Sequence, residues 1–173
     1  MVMASTINAY STPLPMHHPA SRPDSPVDAA PRARLLVVDD EQLIRELYAR
    51  VLSLEGYEVE TAEDGVEALE WLAREHFDLV MVDRQMPRLD GASLVLTLRS
   101  AGGNLPVIMI SGSFATTPLP AGVTRELSAA LLKPVRRAEV VAAVDAALRP
   151  GASRIMPKRE SIHHFRRAHL VAA

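Results

Sequence analysis

The stretch RLLVVDDE, residues 34–41, joins a short apolar run to two adjacent aspartates. A continuous apolar run of this length is typical of a β-strand that is buried on both faces, as in a parallel sheet. Asp39 and Asp40 then stand at the carboxyl end of that strand, where their charges would repel each other without a nearby cation. The stretch therefore predicts a buried strand that delivers an acidic pair to one edge of a sheet.

The same pattern recurs along the chain. Further strands are predicted in the segments YEVETA, DLVMV, LPVIMIS and SAALL, and segments with apolar residues at helical spacing follow each strand. The fourth helix must start late or be broken, because Pro118, Pro120 and Gly122 lie where it would begin. Five strand–helix repeats of this kind predict an α/β fold with a parallel sheet and helices on both faces.

Composition narrows the function classes. The chain has 173 residues, of which 48% are hydrophobic and 23% charged, so we expect one domain with tails. A net charge of -2 gives no general attraction to nucleic acid or to an anionic membrane. Without cysteine the chain has no disulfide framework, thiol nucleophile or cysteine-ligated zinc. It also lacks an apolar run of roughly 18 residues and a signal peptide, so we expect a cytoplasmic protein.

The two ends differ in composition from the middle. Residues 1–32 are rich in proline without a lasting apolar period, which predicts a disordered arm. Residues 33–150 contain the strand–helix repeats and form the predicted domain. Residues 151–173 form a basic tail, too short for a helix-turn-helix with its own core, and we expect it to be solvated or to dock on a partner.

Three more polar residues follow predicted strands. Asp83 follows the third strand, Ser111 the fourth and Lys133 the fifth. Because ligands of open parallel sheets bind at the carboxyl ends of the strands, these side chains and the acidic pair point to one site. Crowded carboxylates need a cation, and a hard divalent ion such as Mg²⁺ suits oxygen ligands. A carboxylate there can also act as the nucleophile that takes a phosphoryl group.

Together, the motifs VVDDE, MVDRQMPRLDG, ISGS and LLKP resemble, in this order, the receiver domain of two-component response regulators. The resemblance covers about residues 34–149 and is to the single-domain type that includes chemotaxis response regulators. It implies a flavodoxin-like receiver fold, with five parallel strands in the order 2-1-3-4-5. In that order the first and third strands are neighbours, which would bring Asp39 and Asp40 close to Asp83.

The resemblance also implies a role for each acidic-site residue. Asp83 would accept a phosphoryl group from a phosphohistidine of a sensor histidine kinase or a histidine phosphotransfer protein. Asp40 would bind Mg²⁺ directly, Asp39 directly or through water, and the backbone carbonyl of Gln85 would complete the protein ligands. Asp90, in contrast, is interpreted as a turn or cap residue.

Ser111 and Lys133 would bind the phosphate, the first through its hydroxyl and the second as a charge partner. The chain would then be a phosphoacceptor signalling protein rather than an enzyme, catalysing only its own Mg²⁺-dependent phosphoryl transfer. We expect a stand-alone receiver that signals through contacts with a downstream protein, and a homodimer is one arrangement open to it.

One position departs from the family. Receivers usually carry Tyr or Phe three residues before the lysine, and this side chain changes rotamer when the hydroxyl residue moves toward the phosphate. Here the position is Ala130, and Ser111 lacks the methyl group of threonine. We therefore hypothesise that the readout uses the segment 113–127.

Other functions share parts of this pattern. A phosphatase of the haloacid dehalogenase type would need a second aspartate where this chain has Gln85. A receiver-shaped scaffold could work without phosphorylation; the intact set of site residues argues against it, and Ala130 leaves it open. A regulator that contacts DNA through its basic tail is the third, although the overall charge does not favour nucleic acid as a partner.

Overall fold

The computed structural model of the protein describes residues 30–113, 118–149 and 156–157. Apart from Ala30, these residues belong to one compact unit that begins at Pro31. The predicted arm and tail otherwise lie outside the described residues. No helix in the described part of the chain is both long enough and apolar enough to cross a membrane.

Strands and helices alternate five times. The strands are β1 Arg34–Val38, β2 Glu58–Ala62, β3 Leu79–Asp83, β4 Val107–Ser111 and β5 Ala129–Leu132. The helices are α1 Gln42–Leu54, α2 Gly65–Arg74, α3 Gly91–Ser100, α4 Ala121–Glu126 and α5 Arg137–Ala147. The predicted alternation is confirmed.

All five strands are parallel and lie in the order β2-β1-β3-β4-β5. Val38 of β1 pairs with Val82 of β3, and Ser111 of β4 pairs with Leu132 of β5. The predicted order is therefore confirmed, and the strands end nearly level. The residues that follow the strands therefore all lie at the same edge of the sheet.

The sheet separates two apolar cores. Alternate residues of β1, β3 and β4 face opposite sides, so that Leu36 and Val80 pack beneath α2 and α3, whereas Leu35 and Leu79 pack beneath α1 and α5. All four side chains are fully buried. Burying a leucine stabilises the fold by about 2 kcal/mol, and these three central strands therefore hold the edge residues on a rigid support.

The α4 region is the least regular part of the described domain. The helix has six residues and starts after Pro120, as the prolines predicted. Val123 is its buried residue, and Leu119 packs against the same core. After this short helix in the chain, Ala130 and Leu132 lie exposed on β5, Leu132 with 58% of its surface accessible.

Residues beyond both predicted domain boundaries contact the domain. Arg32, placed in the arm by composition, donates its backbone N–H to Gly56 O at 3.0 Å and its guanidinium to Asp145 at 2.7 Å. Met156 packs against the core and Pro157 is buried beside Gly103, although both belong to the predicted tail. Single long-range contacts of this kind leave no periodic pattern in the sequence.

Arg32 belongs to a cluster with Tyr57 and Asp145. Its guanidinium carbon lies 4.7 Å from the centre of the Tyr57 ring, and the Tyr57 hydroxyl donates to Asp145 at 2.5 Å. Burial, together with the Asp145 carboxylate, raises the pKa of Tyr57 to about 12. The cluster joins the chain before β1 to the turn before β2 and to α5.

Replacing Tyr57 with phenylalanine should lower the free energy of unfolding by about 1.5 kcal/mol near neutral pH, because a hydrogen bond to a charged group is lost. A pKa raised in the folded state stabilises the fold fully below the unfolded value of about 10, and this stability is lost as pH rises through about 12. Urea unfolding of wild type and Tyr57→Phe across this range measures the difference, which should shrink between pH 10 and 12. A constant difference would contradict the assignment, and Asp145→Asn should remove most of it.

Candidate functional site

The strand ends bring four of the predicted residues to one edge of the sheet. Asp39 follows β1, Asp83 is the last residue of β3, Ser111 is the last of β4, and Lys133 follows β5. The Lys133 backbone N–H donates to Ser111 O at 2.8 Å, which extends the pairing of β4 and β5 up to the lysine. The topology thus assembles residues that are far apart in sequence.

The Lys133 ammonium joins two buried carboxylates. Its Nζ lies 2.9 Å from Asp39 Oδ2 and 2.6 Å from Asp83 Oδ1, with Glu41 further away at 3.8 Å. Asp39 is 2% exposed and Asp83 is 6% exposed. One cation therefore links the ends of β1, β3 and β5 and compensates the acidic crowding that the sequence predicted.

Burial and charge act in opposite directions on this pair. Burial raises the pKa of Asp83, and the Lys133 ammonium and the Gln85 N–H only partly offset this effect by favouring the carboxylate. Burial alone would lower the pKa of Lys133, but its bonds to Asp83 and Asp39 outweigh burial and raise it well above the ordinary value. The lysine is thus firmly charged.

Both oxygens of the Asp83 carboxyl group have a donor. Oδ1 faces Lys133, and Oδ2 accepts the Gln85 backbone N–H at 2.6 Å. Gly91 packs against the Asp83 backbone so closely that an added Cβ would lie 2.4 Å from the Asp83 carbonyl oxygen. The residue at this position has to be glycine, and the carboxyl group is held in one orientation.

The loop after Asp83 is also held against α2. Arg88 adopts a positive φ of 60° and bonds to Asp64, a buried residue that caps the N-terminus of α2 by accepting from Val66 N and Glu67 N. Asp90 caps α3 by accepting from Ser93 N at 2.7 Å, which matches its interpretation as a cap.

A cavity of about 320 Å³ opens beside Asp83. Its lining residues are Asp40, Glu41, Asp83, Gln85, Gly112 and Lys133. Glu41 and Gly112 were not singled out from the sequence, although both lie inside the motifs VVDDE and ISGS. Their adjacency to Asp40 and Ser111 was the available signal.

The Ser111 hydroxyl bonds to the backbone that follows β4. It is not among the residues that line the cavity. Its hydroxyl donates to Ser113 O at 2.9 Å, and the Ser113 N–H donates back to the Ser111 oxygen at 3.2 Å. The sequence predicted the backbone position of Ser111 at the end of a strand. The rotamer of its side chain depends on a local hydrogen bond that the motif does not encode.

The α/β sheet and its edge carboxylate define the receiver class of signalling domains. Residues 35–145 match the response regulator receiver domain, and the chain belongs to that family. Response regulator MprA of Mycobacterium leprae is 41% identical over 116 residues, which cover 67% of this chain and 51% of that protein. The chain therefore spans about half the length of the curated relatives it matches.

Solved structures agree with this assignment. The receiver domain of NtrX from Brucella abortus is 33% identical with a TM-score of 0.60, covering 66% of this chain and 97% of that one. Chemotaxis response regulator CheY4 of Vibrio cholerae is 30% identical with a TM-score of 0.60, covering 67% and 98%. Response regulator receivers are phosphoacceptor signalling proteins rather than conventional enzymes, and they interact with sensor histidine kinases.

Receiver domains generally bind Mg²⁺ at the phosphorylation site. Within the described ranges no three His, Asp or Glu side chains form a group that could hold a metal ion. Asp39 bonds to Lys133 and accepts the Glu41 N–H at 2.9 Å. Asp40, Asp83 and Gln85 still line one cavity, and two carboxylates with a carbonyl and water suit Mg²⁺. The donor set fits this ion.

Replacing Lys133 with methionine should lower the free energy of unfolding by about 2 kcal/mol at neutral pH, because Asp39 and Asp83 lose their shared cation while staying buried. The loss should shrink in acid, where Asp83, whose pKa burial raises, takes up a proton. Chemical unfolding at several pH values measures it.

Arg137→Met is the matched control, since Arg137 makes an exposed ion pair with Glu55 at 2.5 Å and exposed pairs contribute less than about 1 kcal/mol. Equal effects of the two substitutions would refute the role given to Lys133.

Proposed function

We propose that this chain is a response-regulator receiver that accepts a phosphoryl group on Asp83 in a two-component phosphorelay. The donor is a phosphohistidine of a sensor histidine kinase or a histidine phosphotransfer protein. The observation that carries the proposal is the Asp83 carboxyl group, which is fixed by Lys133 and the Gln85 N–H and borders an open cavity.

In the transfer, an Asp83 carboxylate oxygen attacks the phosphorus of the phosphohistidine. The new phosphorus–oxygen bond forms as the phosphorus–nitrogen bond breaks, and the electron pair leaves with the imidazole. Lys133, already 2.6 Å from Asp83 Oδ1, is placed to pair with a phosphoryl oxygen. Neutralising the phosphoryl charge is a main requirement of such a transfer, because phosphoryl transfer depends chiefly on positioning and electrostatics.

Mg²⁺ supplies the remaining positive charge when it is bound. Asp40, Asp83 and the backbone carbonyl of Gln85 would hold it. Asp39 would support the site through Lys133 and would bind the ion directly or through water. Ser111 would turn its hydroxyl toward the phosphoryl group.

A docking surface for the donor lies next to the site on α1. Leu43 is 78% exposed and Leu47 is 54% exposed, one helical turn apart, and α1 starts directly after the acidic loop. Exposed apolar side chains in a row suit a helix of a partner protein. We further propose a cytoplasmic location, and signalling onward through protein contacts.

The test is the intact mass of wild type and Asp83→Asn after incubation with a small acyl phosphate, with and without Mg²⁺. We expect one added phosphoryl group that needs both Asp83 and Mg²⁺. Asp90→Asn is the control, since Asp90 caps α3 and should not affect uptake. No uptake by a folded wild type, from the acyl phosphate or from a phosphorylated kinase, would overturn the proposal in favour of a scaffold that works without phosphate.

The donor in this test is an autophosphorylated histidine kinase that phosphorylates the wild type. Replacing Leu43 with alanine should make transfer from this kinase about tenfold slower, because part of the apolar contact is lost. Uptake from the acyl phosphate should not change. Leu54→Ala is the matched control, as Leu54 lies at the far end of α1 and is 58% exposed. Equal slowing from both donors would show that Leu43 acts on the site itself rather than on docking.

A further inference from the structure

Arg84 joins the loop after Asp83 to the segment after β4. Its guanidinium Nη1 donates to Ser113 O at 3.1 Å. This is the same carbonyl oxygen that accepts the Ser111 hydroxyl at 2.9 Å. Arg84, which follows Asp83 in the chain, and Ser111 therefore donate hydrogen bonds to the same carbonyl oxygen.

The Arg84 backbone is fixed on both sides, so its side chain starts from a defined place. Its N–H donates to Ile110 O at 2.8 Å, and its carbonyl accepts the Gly91 N–H at 3.1 Å. Gly91 also lies so close that an added Cβ would be 3.2 Å from the Arg84 Cα. The arginine is half-buried between β3, β4 and the start of α3.

The shared carbonyl constrains how Ser111 can move. To reach a phosphoryl group on Asp83, the Ser111 hydroxyl must leave Ser113 O. A buried or half-buried carbonyl that loses a donor is costly unless another donor keeps it satisfied. Arg84 is such a donor, and its charge makes the bond stronger than a neutral one.

We propose that Arg84 is a positioning residue that lets Ser111 exchange its hydrogen bond from Ser113 O to the phosphoryl group. Arg84 keeps the Ser113 carbonyl bonded in both states, which lowers the cost of releasing the hydroxyl. The bond also ties the loop of Asp83 to Ser113, the first residue of the segment hypothesised to carry the readout. This role rests on the proposed function, because it requires an acceptor at Asp83.

The contact also suits a chain with Ala130 at the aromatic position. Ala130 is exposed on β5 and carries no ring that could follow Ser111. Ser113 is bonded to both Ser111 and Arg84. When the Ser111 hydroxyl changes partner, the hydrogen bonding of Ser113 therefore changes too, and no aromatic side chain is needed.

The experiment is a double-mutant cycle with Mg²⁺ and beryllofluoride, which mimics an aspartyl phosphate without a covalent bond. The four proteins are wild type, Arg84→Met, Ser111→Ala and the double variant, and binding is titrated by amide NMR. We expect Arg84→Met to weaken binding about five- to tenfold when Ser111 is present and less than about twofold when it is replaced. Arg84→Lys, which keeps a charged donor, should restore part of the binding.

The outcomes separate the two proposals. Equal weakening by Arg84→Met with and without Ser111 would mean that Arg84 acts only as a nearby charge or through the fold, and would overturn its positioning role. A folded wild type that binds no beryllofluoride in the presence of Mg²⁺ would overturn the proposed function, and the role of Arg84 would fall with it. The same spectra report whether each variant is folded. If Arg84→Met is not folded, Arg84→Lys takes its place in the cycle, and we expect a smaller weakening that still depends on Ser111.

Discussion

The ion pair of Lys133 with Asp39 and Asp83 is the interaction on which the rest of the site depends. Two carboxylates buried at 2% and 6% exposure would be strongly destabilising without a shared cation. The lysine can serve both because β1 and β3 are neighbours and β5 ends at the same level. The strand order of the sheet therefore determines these ion pairs, since a different order would separate Lys133 from Asp39 or Asp83.

The loop between β3 and α3 fixes the acceptor in a second way. Gly91 allows the backbone to close on Asp83, while Arg88 ties the loop to Asp64 at the start of α2. Arg84 extends the same loop to Ser113. These contacts hold the carboxyl group from one side, and the Ser111 hydrogen bond that we propose to exchange lies on the other side.

The sequence predicted the sheet well because buried parallel strands leave continuous apolar runs, and it placed Asp83 and Lys133 together because parallel strands end at one edge. It could not predict features that depend on a single rotamer or contact. The orientation of the Ser111 hydroxyl depends on Ser113 O, and the inclusion of Arg32 in the fold depends on Asp145, far away in the chain. Such contacts have no period and no motif, so neither composition nor spacing could reveal them.

The two edges of the sheet differ in a way that bears on self-association. The β2 edge carries Glu58 and Glu60, both paired with Arg34, and charges of this kind discourage strand addition. The β5 edge has the exposed Ala130 and Leu132 beside a short helix. Of the two edges in the described part of the chain, β5 suits edge-to-edge joining better, and a pair joined there would present two charged β2 edges outward. Growth would stop at a closed, two-fold symmetric pair, so the uneven edges act as a barrier to open-ended filaments.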